Sequence, residues 1–342
     1  MDDAAIGGDG GEPEPSGEPA VRFVGRPDHR ESGVVRLAWS GSGILFRFAG
    51  TSAAVRMDDP AGFYTRVVDG VEQPELQTTP GERSYAIAGG LPDGEHEVEL
   101  YRRTEASFGV TRFYDVDLAD GELLAPAPPK SRKLELIGDS ITVGYGNEGT
   151  MADCPFEAAT ENHWLTYGAL SARELDAELV TIAWSGKGIV YNYGDDKNEP
   201  LPAIYSRALP GDGQSQWDFA LWQPDVVAIN LGTNDFSTDD DPPQPVFEGA
   251  YQAFLETLRE KYPDAWILCL VPTLLGGDEQ GTAEAYITTA VDARAAAGDD
   301  RVVMRALEFT SDGAGCDYHP SLATHANMSI ALTAELRDLV GW

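Results

Sequence analysis

The stretch Leu134-Glu135-Leu136-Ile137-Gly138-Asp139-Ser140-Ile141-Thr142-Val143-Gly144-Tyr145-Gly146 decides how this chain is read. A short apolar run enters Gly-Asp-Ser, and a glycine-rich turn follows at once. The pattern predicts a strand that delivers a serine hydroxyl at its end, beside the start of a helix. Gly138 lets the chain turn there without a Cβ clash. The amides after Ser140 then stand free at a helix N-terminus, facing any negative charge that develops nearby. Alone, Gly-Asp-Ser also describes an ordinary strand-to-turn junction, so the rest of the chain must decide between the two.

From Lys133 onward strands and helices alternate. The expected strands are 134–137, 179–183, 226–231, 266–271 and 302–304; the expected helices are 164–177, 245–261, 283–297 and 322–339. This grammar predicts a parallel sheet wrapped by helices, with ligands bound beyond the carboxyl ends of the strands. After the first strand comes Ser140, and after the second Trp184-Ser185-Gly186-Lys187-Gly188. After the third comes Gly232-Thr233-Asn234-Asp235, and after the last Cys316-Asp317-Tyr318-His319-Pro320. One rim would therefore collect a nucleophile, oxyanion donors and a base with a carboxylate. A serine hydroxyl needs such a base to take its proton, and histidine exchanges protons near neutrality. The tetrahedral oxyanion needs fixed donors, each worth ~3 kcal/mol in the transition state.

Each residue also has a structural reading. Asn234 can cap the segment after a strand, and His319 before Pro320 can be a turn residue. His325 lies early in an expected helix, where packing suits it better than catalysis; His163 reads as a helix opener.

The four blocks in this order, Gly-Asp-Ser, Ser-Gly, Gly-Thr-Asn-Asp and Asp-x-His-Pro, resemble the SGNH (GDSL) hydrolase superfamily over residues 133–342. With a β domain in front, the chain resembles carbohydrate esterase family 2, a group of two-domain polysaccharide deacetylases. Thr160-Glu161-Asn162-His163 and Tyr167-Gly168-Ala169-Leu170 add to that likeness. The resemblance implies Ser140 as nucleophile and His319 as general base and then acid. It implies an oxyanion hole of the Ser140 and Gly186 amides with the Asn234 side chain. Many members of the superfamily carry an aspartate three residues before the histidine; here that position is Cys316 and the aspartate is Asp317. Either the Asp317 carboxylate reaches His319 Nδ1, the arrangement favoured here, or a backbone carbonyl takes its place.

Residues 21–125 read as β. Short runs such as 34–39, 44–48, 54–57, 64–68 and 96–101 alternate with turns at Gly41-Ser42-Gly43, Asp69-Gly70 and Pro92-Asp93-Gly94. This spacing predicts an all-β jelly-roll or sandwich domain in front of the α/β domain. Ala125-Pro126-Ala127-Pro128-Pro129 begins a stiff linker over 126–132. Residues 1–20 read as a disordered acidic leader without the basic start and apolar stretch of a signal peptide. No run is apolar and long enough to span a bilayer. The expected location is outside the cell if a signal has been removed, and the cytoplasm otherwise.

The chain carries 57 Asp plus Glu against 24 Lys plus Arg, a net charge of −33. Such a surface repels nucleic acid and anionic lipid, so neither is an expected partner. Acidity with so few lysines also fits a protein that works in concentrated salt, where screening is short-ranged. Asp239-Asp240-Asp241 reads as a solvated loop, and no metal or other cofactor is expected. Cys269 reads as a buried thiol; Cys154 and Cys316 are either a bridge joining the two sides of the site or two thiols.

The aromatics Trp184, Tyr191, Tyr193, Trp217 and Trp222 gather near the loops of the second domain, with Trp222 reading as core. Aromatic faces stack on sugar rings, so Trp184, Tyr191 and Trp217 are candidate substrate contacts. The expected activity is removal of acetyl groups from O-acetylated sugars or polysaccharides through an acyl-enzyme. A general short-chain esterase or lysophospholipase-like hydrolase is the alternative enzyme. A non-catalytic carbohydrate-binding protein is the alternative of another class.

Overall fold

The structure, a computed structural model, describes residues 20–342 apart from Ala61 and Asp239. The expected leader at 1–20 thus lies almost wholly outside the described residues, as does the first member of the Asp239–Asp241 run.

Between residues 21 and 124 two antiparallel sheets face each other. One orders its strands Val21–Val24, Gly43–Gly50, Gly94–Arg102, Phe63–Val68 and Val71–Gln77, with Glu122–Leu124 also paired to Gly43–Gly50. The other runs Val35–Leu37, Thr111–Asp117, Ala53–Asp58 and Arg83–Ala88. Side chains alternate across each strand, so every second residue turns inward. Ile44, Phe46, Phe48, Val55, Met57, Val98 and Leu100 thereby fill a core between the sheets.

The second domain is a five-stranded parallel sheet ordered Ala177–Ala183, Arg132–Gly138, Val226–Asn230, Trp266–Leu270 and Val302–Arg305. Helices Tyr167–Glu174, Gln244–Lys261, Gly277–Ala296 and Leu322–Val340 cover it, and its inner strands are largely apolar on both faces, with Glu135 a buried exception. That burial explains the unbroken apolar runs read from the sequence. The expected helix over 164–177 is shorter because His163–Leu165 forms a separate 3-10 turn and Thr166 caps the helix proper by accepting from Ala169 N.

The two domains are joined by polar contacts as well as by chain. Glu135, buried mid-strand, accepts hydrogen bonds from Arg26 at 3.1 Å, Tyr205 at 2.5 Å and Tyr262 at 2.9 Å. Arg26 belongs to the β domain, so this buried charge is compensated across the boundary. The Trp39 indole donates to the Arg207 carbonyl at 3.1 Å, and Tyr101 stacks on Trp164. Gly41 lies against His163: with φ of 73°, a Cβ there would come 2.4 Å from the imidazole. His163 is buried and held by Thr181 Oγ1 at 2.9 Å, and burial lowers its pKa to about 3. It is a packed interface residue.

Candidate active site

Register sets the site. Gly138 pairs with Ala183 on one side and Asn230 on the other. The next residues of all three strands therefore leave the sheet in one row: Asp139-Ser140, Trp184-Ser185-Gly186 and Leu231 to Asn234. The chain crosses from one side of Arg132–Gly138 to the other between these strands, which opens the crevice above it.

Ser140 begins a four-residue helix, Ser140–Val143, capped by Asp139, whose carboxylate accepts from Ile141 N at 3.0 Å. Burial raises the Asp139 pKa to about 7, against the hydrogen bond it accepts from Ile141 N. Gly138 is needed for close packing rather than for an unusual turn: a Cβ there would lie 2.0 Å from Thr142 Oγ1.

His319 Nε2 lies 2.8 Å from Ser140 Oγ. Its Nδ1 lies 3.0 Å from the backbone carbonyl of Asp317. The Asp317 carboxylate instead accepts from the Tyr145 hydroxyl at 3.0 Å. This corrects the favoured expectation of a carboxylate on Nδ1. The reason is the short spacing: Asp317 and Tyr318 adopt left-handed conformations, φ 49° and 59°, and this turn swings the Asp317 carbonyl toward the ring. With a carbonyl as partner, Nδ1 carries the proton and Nε2 is free to accept one. Burial lowers the His319 pKa, while the Asp317 carbonyl and charge push it the other way.

The loop bearing His319 is tied to the nucleophile side. Cys154 and Cys316 form a disulfide with a Cα separation of 4.6 Å. Cys316 N donates to Gly146 O at 2.9 Å, Asp317 N to Cys154 O at 3.0 Å and Tyr318 N to Ala152 O at 2.9 Å. Cys269, by contrast, is a buried free thiol, pushed up to about 12 by burial.

The Gly186 turn faces Ser140. Gly186 is left-handed at φ 77°, a conformation that suits glycine. Among the described residues, neither the Ser140 amide nor the Gly186 amide donates a hydrogen bond. The Asn234 side-chain amide lies on the same cleft and donates to Lys187 O at 2.8 Å, with a longer contact to Asp139 at 3.4 Å. Asp235, pushed up to about 6 by burial, accepts the backbone N–H groups of Ile189, Val190 and Tyr191 at 2.7–2.9 Å. It anchors the far end of the same loop.

Ser140, Gly186, Asn234, Asp317 and His319 line an open cleft of about 680 Å³ with Tyr145, Tyr193 and Tyr318. Tyr193 and Tyr318 are each 68% exposed. Trp184, Tyr191 and Trp217 do not line it. Trp184 packs against the core of the sheet with Lys187 over its ring, and Tyr191 is buried beneath Lys197. Trp217 is half-buried, its amide bonded to Ser206 O. Their sequence positions near the loops were a poor guide because within the loop after 183 Trp184 and Tyr191 pack inward while Tyr193 faces the cleft. Tyr318 carried a better signal, its place beside His319, and it lines the cleft. Trp222 packs at the core edge, and its indole donates to Glu178 at 2.8 Å. His325 is buried behind the site, accepts from Tyr167 N at 3.3 Å and is held to a pKa of about 3 by burial. Among the described residues no group of His, Cys, Asp or Glu converges as metal ligands would, and no helix is long and apolar enough to cross a membrane.

Glu105 was not foreseen at all. It comes from the β domain, and its carboxylate accepts the Ser185 N–H at 2.7 Å. No local motif marks it, since only the packing of the two domains brings it to the rim.

Comparison with known proteins agrees with both halves. The carbohydrate esterase 2 N-terminal family matches residues 23–128, and the GDSL-like lipase/acylhydrolase family matches residues 136–326. The chain is 39% identical over 329 residues to the cellulase/esterase CelE of Acetivibrio thermocellus, which covers 95% of this chain but only 40% of that protein. It is 30% identical over 325 residues to an acetylxylan esterase/glucomannan deacetylase of Cellvibrio japonicus, covering 90% of this chain and 87% of that one. The structure of a family two carbohydrate esterase from Clostridium thermocellum in complex with cellohexaose superposes with a TM-score of 0.90 at 38% identity, over 94% of this chain and 99% of that chain. A two-domain match of this extent, on a fold with the same β and α/β halves, makes the chain a member of carbohydrate esterase family 2.

Proposed function

We propose that this chain is a serine esterase that removes acetyl groups from O-acetylated sugars or polysaccharides. The observation that carries the reading is the 2.8 Å contact between Ser140 Oγ and His319 Nε2, beside the Ser140 and Gly186 amides, which donate no hydrogen bond among the described residues. In the first step Ser140 Oγ attacks the acetyl carbonyl while Nε2 takes its proton. The oxyanion is met by the Ser140 and Gly186 amides, and by Asn234 once it gives up its longer contact. As the tetrahedral intermediate collapses, the bond from the acetyl carbon to the sugar oxygen breaks and the imidazolium gives its proton to that oxygen, releasing the sugar hydroxyl and leaving acetyl-Ser140. Water, deprotonated by the same imidazole, then attacks the acetyl group. Acetate leaves, and Ser140 regains its proton.

The open cleft and the exposed rings of Tyr193 and Tyr318 support a carbohydrate substrate, since aromatic faces pack against sugar rings. The names of the relatives, acetylxylan esterase/glucomannan deacetylase among them, point the same way. The deciding experiment compares acetate release from acetylated xylan and glucomannan with hydrolysis of 4-nitrophenyl acetate and longer acyl esters. Faster turnover of long-chain esters than of acetylated polysaccharide would overturn the reading. The net charge of −33 further supports work in concentrated salt. A melting temperature that does not rise between dilute and molar salt would remove that part.

A further inference from the structure

Two carboxyl groups are buried together at the domain boundary, outside the serine–histidine pair. Glu105 follows Arg102 and Thr104 at the edge of the β domain and is only 3% exposed. One carboxylate oxygen accepts the Ser185 N–H at 2.7 Å, and the other accepts the Ser107 hydroxyl at 2.7 Å. The Glu105 N–H donates to Glu161 Oε2 at 3.2 Å. Glu161 is fully buried, and its other oxygen has no hydrogen-bond partner. Burial and the neighbouring Glu105 raise the Glu161 pKa well above the carboxylate range. Burial raises the Glu105 pKa as well, while the Ser185 and Ser107 donors oppose that shift; with a donor on each oxygen, Glu105 is the member of the pair that acts as an acceptor.

Burying a carboxylate is unfavourable unless its hydrogen bonds compensate, so the target of those bonds shows what the group does. The target is the peptide group one residue before Gly186. The neighbouring groups of the turn are tied as well. Trp184 N donates to Gly138 O at 3.3 Å, Lys187 N to Trp184 O at 3.2 Å and Tyr193 N to Gly186 O at 2.8 Å. Among the described residues the Gly186 N–H is the one amide of Trp184–Lys187 that donates no hydrogen bond, and Gly186 lines the cleft.

We propose that Glu105 is a positioning residue for the oxyanion hole: by accepting the Ser185 N–H across the domain boundary, it holds the Trp184–Lys187 turn so that the Gly186 N–H faces the developing oxyanion. The inference rests on the esterase reading above. It makes the β domain part of the catalytic unit, through the hydrogen bond that Glu105 accepts from Ser185.

The test uses the full chain with Glu105→Ala and Glu105→Gln. Three quantities are read: kcat and KM on 4-nitrophenyl acetate, the melting temperature, and amide hydrogen exchange over residues 184–188. Glu105→Ala loses an acceptor, so kcat falls by roughly 10- to 100-fold, below the cost of deleting an oxyanion donor outright. KM stays near its original value, and exchange at Ser185 speeds up. Glu105→Gln still offers an amide oxygen to Ser185 and restores most of kcat with slow exchange. A folded Glu105→Ala protein with undiminished kcat overturns the proposal, as does a loss confined to KM, or a Gln variant no better than Ala. Should the Ala variant fail to fold, the Gln variant decides: fast Ser185 exchange with undiminished kcat overturns the proposal, and slow exchange with undiminished kcat supports it. Absence of turnover in the unsubstituted protein would strike the esterase reading instead, leaving the exchange comparison to decide whether Glu105 holds the turn.

Discussion

The nucleophile side and the base side of the cleft are built in different ways. Ser140, Gly186 and Asn234 each follow a strand of one parallel sheet, and the pairing of Gly138 with Ala183 and Asn230 fixes their relative height. His319 stands on a loop with one 3-10 turn and two left-handed non-glycine residues, stapled by a disulfide and backbone hydrogen bonds to residues 146–154. A sheet sets the height of its strand ends at little extra conformational cost, and on that side only the left-handed Gly186 turn is proposed to need a fastening, from Glu105. A loop must be held against entropy and strain, of order 1–3 kcal/mol for each such backbone. The difference teaches where each side is vulnerable: the first to loss of a functional group, the second to loss of its fastenings.

The largest effects should come from the two groups in contact. Ser140→Ala and His319→Ala are expected to lower kcat by about 10⁴-fold or more, with little change in melting temperature, because neither fills a core. Steady-state kinetics on 4-nitrophenyl acetate checks this, and a folded Ser140→Ala protein that turns over normally would dismantle the site. Next comes Asn234→Ala, at roughly 10²- to 10³-fold in kcat, the scale for one oxyanion donor. Its amide also holds Lys187 O at 2.8 Å, so part of that loss comes from a looser Gly186 turn. An Asn234→Ala enzyme within a few-fold of the original would show that the two backbone amides suffice.

Breaking the staple probes the other side. The bridge closes a separation of 162 residues, for which the chain-entropy treatment gives about 5 kcal/mol. The double variant Cys154→Ala/Cys316→Ala should lower the urea midpoint, and it should also lower kcat by about 10- to 100-fold as the imidazole drifts from Ser140. If kcat survives while the midpoint falls, the backbone bonds alone hold the histidine, and the contrast between the two sides weakens.

These two sides were not equally legible. Strand ends in a parallel sheet are readable because buried strands are continuous apolar runs, so Ser140, Gly186 and Asn234 could be assigned to one rim. The pairing of Cys154 with Cys316 stayed open because spacing does not reveal distance between loops. The carbonyl partner of His319 was missed because it depends on two left-handed residues, which an Asp and a Tyr do not announce. The aromatic contacts failed for a related reason: whether a loop ring turns to solvent or to the core is a packing outcome, as Tyr193 and Tyr191 illustrate two residues apart. Glu105 was invisible because it acts from another domain.

The smallest expected effect is the most specific to the base side. Asp317→Asn keeps a residue that tolerates the left-handed conformation and retains a partner for the Tyr145 hydroxyl. It leaves the backbone carbonyl on His319 Nδ1 in place. A carboxylate that held Nδ1 directly would cost about 10⁴-fold in kcat on such a change, because the wrong tautomer would be favoured. Here kcat should fall by no more than about tenfold. The pH profile should move as well, in a direction that can be worked out. Burial already lowers the His319 pKa, and the Asp317 charge opposes that shift. Removing the charge disfavours the imidazolium further, so the acid limb of kcat/KM moves to lower pH. A profile of kcat/KM across the acid range in both proteins reads the shift. A loss near 10⁴-fold, or an acid limb displaced upward, would return the carboxylate to Nδ1 in the working enzyme and place the base side in the same class of construction as a full triad.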